Sequence, residues 1–583
     1  NKKKKGVNMT DSNALRDIKL IKGAFPAEYG GRLSSVVDMT MKEGTKNKFS
    51  GAGGISLISS RLTLEGPIND NSTFMISGRR MYLDIMMWLA DLIIPGESGI
   101  ESTPQYYFYD LNAKVNYKIS ENDRIFLSGY FCRDVLNSPD QNNDFSIFWG
   151  NQTANLRWMH IVSPEFFTNL SLIYTNYNFN VQIYGDTSNT KTWKSTSKIQ
   201  DVMLRLEGQY FPNADHVIKM GTEITHHDFG VGIGANFNFN FEDNFTEDNK
   251  SSVDLAIYAQ DEWKITDLLR SNIGIRGYYF SEGNYFNLEP RLSASYTLTE
   301  NSTLTLSSAL AHQFLHMIVR NDIPLPTDVW YPSTKGVKPQ KSWQTVFGYE
   351  HLFKEAEYLF SAEIYYKSMQ NLLEYKDDAS FSLGLPFESQ FTVGSGYAYG
   401  LELFLNKRIG NFTGWVGYTL SWTKRKFDDL NDGKEFYPRY DRRHDISITF
   451  NYELGKKWEL GASWVFGTGQ AFTMPTGIYR IEDPDGLNNE SHYWTRESYD
   501  FTEKNGYRLP PFHKLDLNFM YKFEWFKLPF QLSLNIYNAY NRKNPFMWFI
   551  GYDFNETNYS YQKAVKQFTL FPFMPTLGLS FKF

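Results

Sequence analysis

The sequence holds a single cysteine, Cys132. That excludes internal disulfides and any zinc or iron–sulfur centre built from cysteines. It also has no long apolar run: Ile85 to Ile94 is the longest nearly apolar stretch, and it already contains Asp91. A membrane-spanning helix needs roughly 20 such residues. Neither sign of charge dominates, since 59 basic and 65 acidic side chains leave a net charge of −6. No basic stripe or acidic tail points to nucleic acid. There is no GxSxG, HExxH or P-loop, so no catalytic constellation or cofactor site is expected and the chain is not read as an enzyme. The run Lys2 to Lys5 is basic, but Gly6 to Ser12 is no apolar core of a signal peptide.

Aromatic side chains are what the sequence has in quantity: 47 Phe, 38 Tyr and 14 Trp, or 17% of 583 residues. Mean hydropathy is nevertheless only −0.45. Disordered chains lack aromatics, so this is a folded protein. Apolar and polar residues alternate in strand-length segments to the very end. Leu515, Leu517, Phe519, Tyr521 and Phe523 interleave with Lys514, Asp516, Asn518, Met520 and Lys522, and Ile446, Ile448, Phe450 and Tyr452 behave likewise. Period-two alternation means a sheet with one apolar and one polar face.

Connections fall into two alternating classes. Short ones are expected at 66–72, 120–123, 163–165, 213–215, 266–267, 300–302, 354–357, 409–411, 455–457 and 526–527. Longer ones include 82–105, 229–250, 314–338, 376–395, 470–511 and 542–567. Short turns at one rim and long loops at the other mark an outer-membrane barrel. Ten short turns and eleven connections opposite them join 22 strands. A soluble propeller or pair of sandwiches would need a layer covering the apolar faces, and no helices are present to supply it. The reading is therefore all-β: a 22-stranded antiparallel transmembrane β-barrel. A barrel of that size has a lumen too wide for its own side chains to fill, so part of the chain should occlude it.

Residues 13–44, NALRDIKLIKGAFPAEYGGRLSSVVDMTMKEG, resemble the last part of the plug domain of TonB-dependent outer-membrane transporters. The segments GYAYGLELFLNKRIGNFTGW at 396–415, YDRRHDISITFNYEL at 440–454 and LNIYNAYNRKNPF at 534–546 resemble that family's barrel strands, and GLSFKF resembles its aromatic-ended close. The resemblance covers residues 13–583 and is similar in flavour to the subfamily with an extra N-terminal carboxypeptidase-regulatory-like domain. It implies two domains: residues 1–47, the C-terminal part of a plug, and residues 48–583, the barrel. Fewer than fifty residues precede the barrel, so the signal peptide, TonB box and first plug strands are expected to be missing, as in a fragment or truncated product.

What the resemblance implies about function is TonB-dependent import of a scarce large ligand across the outer membrane of a Gram-negative bacterium. Siderophore, vitamin, glycan and peptide are all open, and the alternative is a passive channel or a docking barrel without energy coupling. Expected partners are outer-membrane lipid, TonB through a segment this chain lacks, the barrel-assembly machinery and a surface lipoprotein acting as a lid.

Particular residues follow. Gly23, Glu28, Tyr29, Gly30, Gly31 and Arg32 are the densest motif and are assigned to the plug. Trp330, Tyr331, Tyr493 and Trp494 are the ligand-contact candidates, because rings on loops offer rigid stacking surfaces. Phe581 and Phe583 are the barrel-assembly signal. Residues 440–445 are read as a charge ladder facing the lumen. His226 and His227 point to opposite faces of a strand, which argues against joint metal ligation; DDLNDGKE at 428–435 and EDPDG at 482–486 miss the spacing of a calcium loop. No metal site is expected. The apolar segment 81–94, with Ile85, Trp88, Leu89 and Leu92 on one face if helical, must be covered by loops, lipid or a partner.

Overall fold

Period-two alternation is realised as a closed antiparallel sheet of 22 strands, with inside and outside exchanged relative to a soluble protein. On the strand Leu269–Phe280, Ile273 and Ile275 are half exposed, whereas Arg276 is only 2% exposed. On Phe245–Lys264, Val253 and Ile257 face outward while Asp254, Tyr258 and Gln260 are buried. Apolar side chains of this size gain roughly 1.5–3 kcal/mol each on leaving water, so their outward display fits a lipid surround. The computed structural model describes residues 14–85, 105–138, 145–185, 191–237, 245–318, 329–377, 387–481, 496–500, 503–555 and 560–583.

The ten short turns lie at one rim. That rim carries an outward belt of aromatics that includes Tyr210, Trp263, Tyr296, Phe353, Tyr452 and Trp458, the amphipathic girdle expected at a membrane–water interface. On the strand Gln340–Phe353, Trp343 and Phe353 both face outward, ten positions apart. At strand rise and barrel tilt that separation is about 25 Å, the height of a lipid-facing band. The five strands between Phe145 and Lys264 are 19 to 23 residues long and so project well past the bilayer.

Two expected connections are shorter than read. The strand Ser59–Asn69 runs through the expected turn at 66–72, and Ser72–Tyr82 resumes two residues later. Likewise His216–Phe237 and Phe245–Lys264 pair up to Gly234 and Phe245, so most of 229–250 is strand. There Phe229, Val231 and Ile233 alternate with glycines, a period-two pattern weak enough to pass for a loop.

The barrel closes where the last strand, Met574–Lys582, pairs with the first, Ser50–Ser56. Gly53 stands opposite Phe581, whose ring covers the glycine so closely that a Cβ there would come within 2.6 Å of it. The backbones of Phe583 and Gly51 exchange hydrogen bonds of 3.0 and 3.1 Å. Ahead of the barrel, Leu15–Ile21 and Val36–Met41 form a separate two-stranded antiparallel sheet.

Candidate functional site

The chain between those two strands has no ladder to satisfy its peptide groups, and buried peptide groups must find partners. Inward side chains of the barrel supply them. Arg291 Nη1 donates to the carbonyls of Phe25, Pro26 and Tyr29 at 3.1, 2.8 and 2.6 Å, with its guanidinium 4.5 Å over the Phe25 ring. Arg276 donates to Ala27 O at 3.3 Å and Arg205 to Glu28 O at 3.2 Å, while Gln260 accepts from the Glu28 amide at 3.1 Å. Farther round the wall, Lys367 donates to Leu33 O at 2.6 Å and Gln313 accepts from Leu33 N. Lys22 bridges Glu402 at 2.5 Å and Glu363 at 3.4 Å. Residues 22–33 thus hang from one arc of neighbouring strands, running round the wall from Lys191–Asn213 to Phe391–Lys407.

The arginines among them are themselves paired. Arg291 meets Glu289 at 2.6 Å, and Glu289 accepts from the His312 amide at 2.7 Å. Arg205 meets Glu207 at 2.9 Å and Glu223 at 3.0 Å, and Arg276 also pairs with Glu223. An unpaired charge at this depth would be strongly destabilising, so each arginine carries its own counter-ion and spends its remaining donors on backbone. Contact through carbonyls asks little of side chains in the segment. It asks for slim backbone: Gly23 and Gly31 adopt φ of +65° and +71°, and a Cβ at Gly30 would collide with the Arg276 guanidinium. Glu28 reaches Lys219 at 3.5 Å, and Tyr29 packs beside Phe25 and Leu33.

The connection 314–339 turns inward across the barrel mouth. Its strands Leu315–Ile318 and Val329–Pro332 form a hairpin that packs on Lys191–Asn213 and His216–Phe237 on one side and on Tyr358–Tyr375 on the other. Phe314 stacks on Tyr278 at 4.4 Å and on Phe280 at 5.0 Å. Tyr331, expected to offer a stacking surface to a ligand, offers none here. Its ring is 1% exposed among Val231, Ile318, Val337 and Phe391, and its hydroxyl donates to Asp248 and Glu388 at 3.2 and 3.0 Å. Alternation along the short hairpin turns Tyr331 inward and leaves Trp330 on the other face, half-buried. The Arg32 guanidinium lies 5.8 Å from the Trp330 ring centre, so two residues singled out separately in the sequence meet here. Tyr493 and Trp494 lie outside the described residues.

His316 was not legible from sequence. It is fully buried, with Nε2 2.9 Å from Ser333 Oγ and Nδ1 without a partner. Burial pushes it down to about 3, so it is neutral at any ordinary pH. His227 faces inward between Asp201 and Asp254 at 2.6 and 2.8 Å, whereas His226 lies on the opposite face near Asp228. In 440–445, Asp441 is buried and accepts from Arg508 at 2.6 Å and from Thr423 N at 2.8 Å, pinning the base of the connection 468–511. Among the described residues no group of His, Cys, Asp or Glu is arranged to hold a metal ion. Of 81–94, Met81 and Tyr82 end a barrel strand; residues 86–94 lie outside the described ones.

A lipid-facing barrel of 22 strands, with a tethered segment held to its inner wall, is the architecture of outer-membrane receptors that import ligands too large for open pores. The family model of TonB-dependent receptor-like β-barrels matches residues 92–539. The chain belongs to that family and is a Gram-negative outer-membrane protein. A search of the curated proteins finds no match. Among solved structures it is similar to the ferric-catecholate import receptor of E. coli K12, at 15% identity and a TM-score of 0.63, over 96% of this chain and 85% of that one. It is also similar to the ferric yersiniabactin uptake receptor of Yersinia pestis, at 13% identity and a TM-score of 0.67, over 97% and 84%. A third, the ferripyoverdine receptor of Pseudomonas aeruginosa, gives 13% and 0.65 over 97% and 76%. At these identities the likeness is one of fold. The fold and family are those of receptors and transporters.

Proposed function

We propose that the chain is the barrel, with a plug segment at residues 1–47, of a protein that imports a scarce large ligand by drawing on the inner-membrane gradient through TonB. One observation carries the reading. The strands Leu15–Ile21 and Val36–Met41 pair only with each other, and residues 22–33 are held to the wall by side-chain hydrogen bonds rather than by a shared sheet. Such contacts can break and re-form one by one while the barrel's own ladders stay intact, which suits a segment that must yield to passage. A passive pore or docking barrel gains nothing from a detachable filling.

The solved structures of similar fold include receptors for ferric chelates, and a ferric chelate therefore stands among the candidate cargoes beside vitamin, glycan and peptide. Gly23, Glu28, Tyr29, Gly30, Gly31 and Arg32 belong to the plug segment, and Trp330 stands where a ligand entering the mouth would meet Arg32. Phe581 and Phe583, at the closing seam, suit recognition by the barrel-assembly machinery. The test is uptake by cells expressing the full-length gene, with and without TonB, of a labelled ferric tris-catecholate, a labelled tetrapeptide pool and labelled maltohexaose. Import of one of these only when TonB is present is the expected result. Equal import in both strains would sink the reading in favour of a passive channel.

A further inference from the structure

A second feature of the loop rim lies apart from the tethered segment. A cavity of about 840 Å³ opens among the connections 428–443 and 468–511 and the hairpin Pro545–Asn555 with Ser560–Thr569, and every residue lining it is at position 377 or beyond. The volume is that of a small-molecule site. One wall is aromatic, formed by Phe472, Phe546 and Trp548. These rings are held in place: Trp548 Nε1 donates to Gln567 at 3.1 Å, and Phe546 meets Phe568 edge-on at 6.1 Å. Phe546 is also exposed at a rim where no lipid covers it.

The charged lining divides into groups already satisfied and groups left open. Asp377 pairs with Lys504 at 3.2 Å, Asp432 with Lys434 at 3.5 Å, and Asp429 accepts from Thr392 at 3.0 Å. Asp428, Glu503 and Arg439 line the same cavity and have no hydrogen-bond or ion-pair partner among the described residues. One cavity therefore presents two open carboxylates, one open guanidinium and an aromatic wall. A neutral glycan could hydrogen-bond these groups but would bring no opposite charge to any of the three. A multiply anionic ferric catecholate would face an excess of carboxylates.

We propose that this cavity binds an oligopeptide, a zwitterion whose ammonium end meets Asp428 and Glu503, whose carboxylate end meets Arg439, and whose apolar side chains lie on Trp548 and Phe546. This deepens the import reading by naming a cargo class, and rests on it only for the passage that would follow binding.

The test is calorimetric titration of the full-length protein, purified in detergent micelles, with an equimolar pool of synthetic tetrapeptides. The same pool N-acetylated, the same pool C-amidated, maltohexaose and a ferric tris-catecholate complete the set. The free pool should bind. Acetylation and the pair Asp428→Asn with Glu503→Gln should each weaken binding at least tenfold without adding to each other. Amidation and Arg439→Gln should behave in the same way, and Trp548→Ala should weaken binding of every form. Absence of peptide binding, binding indifferent to these variants, or preferential Trp548-dependent binding of maltohexaose or the catecholate would overturn the proposal. Peptide binding without TonB-dependent uptake would sink the import reading and leave this one. TonB-dependent uptake of another cargo with no peptide binding would do the reverse.

Discussion

Two parts of the same rim are built from similar material and end in opposite conditions. The hairpin of 314–339 and the cavity among 428–443, 468–511 and 545–569 both combine aromatics with carboxylates and basic groups. In the hairpin the polar groups are paired except for His316 Nδ1, and two of the large rings are enclosed: Tyr331 bonds Asp248 and Glu388, and Phe314 lies in a three-ring stack. In the cavity, Asp428, Glu503 and Arg439 have no partners among the described residues, and Phe546 is open to solvent. Buried polar groups must be satisfied to be tolerated, whereas open ones cost little at a wet rim. A satisfied region closes space, and one with open groups leaves them free to meet water or a ligand. Composition alone does not distinguish them; partner geometry does.

The largest expected effect falls on the satisfied interior. Arg291→Gln leaves Glu289 buried without its cation and withdraws donors from three carbonyls of residues 25–29. Loss of one partner from a buried pair costs about 3–5 kcal/mol, so denaturant unfolding in micelles should shift markedly and residues 22–33 should become open to protease. A smaller effect comes from pH. His316 has a folded value of about 3 against 6.5 for the free side chain, so the unfolded hairpin binds the proton and the folded one does not. Stability is full above pH 6.5 and falls as pH drops below it. By pH 5 the loss is about 2 kcal/mol, readable as faster amide exchange at 329–332. His316→Gln should abolish that dependence.

Next in size is Tyr331→Phe, which keeps the ring and removes one hydroxyl from two carboxylates. About 1.5 kcal/mol of hairpin stability should go, seen as increased single-channel conductance when the mouth opens more often. Arg32→Ala removes a cation over Trp330 and should cost about 0.5–1 kcal/mol. In the cavity, Trp548→Ala should change unfolding stability by no more than about 1 kcal/mol, the worth of its one hydrogen bond, while weakening ligand binding. Were Trp548→Ala as destabilising as Arg291→Gln, the contrast between a closing region and an open one would be wrong.

The wall was legible in the sequence because lipid and lumen impose one rule on every strand, an apolar outward face opposite a polar inward one. Ile273 and Ile275 against Arg276 express it, and ten turns against eleven connections fix the strand number. The site was less legible. Glu289 and Arg291 sit two apart at inward positions of Tyr285–Thr299, whose outward neighbours Phe286 and Leu288 are exposed. Charges alternating with lipid-facing residues were the available signal, but which carbonyls they would meet depends on contacts within the lumen. Tyr331 and Trp330 are adjacent in sequence and opposite in fate, because a hairpin in a loop turns alternate side chains to different surroundings. The open groups of the cavity come from two connections, Asp428 and Arg439 from one and Glu503 from the next, and the acidic run at 428–435 was the only local pattern near them.

The central claim is that the segment between Leu15–Ile21 and Val36–Met41 must leave the wall for import to occur. A Cβ at Gly274 would lie 2.9 Å from the Cβ of Ala27, within about 1 Å of the spacing in a disulfide. The variant Ala27→Cys with Gly274→Cys, in a Cys132→Ser background, can therefore staple segment to barrel. The decisive measurement is the uptake rate of whichever labelled probe the wild type imports, oxidised and then reduced. Uptake that stops on oxidation and returns on reduction is the predicted result. Equal rates in the two states, with the disulfide shown by mass spectrometry to have formed, would contradict the account.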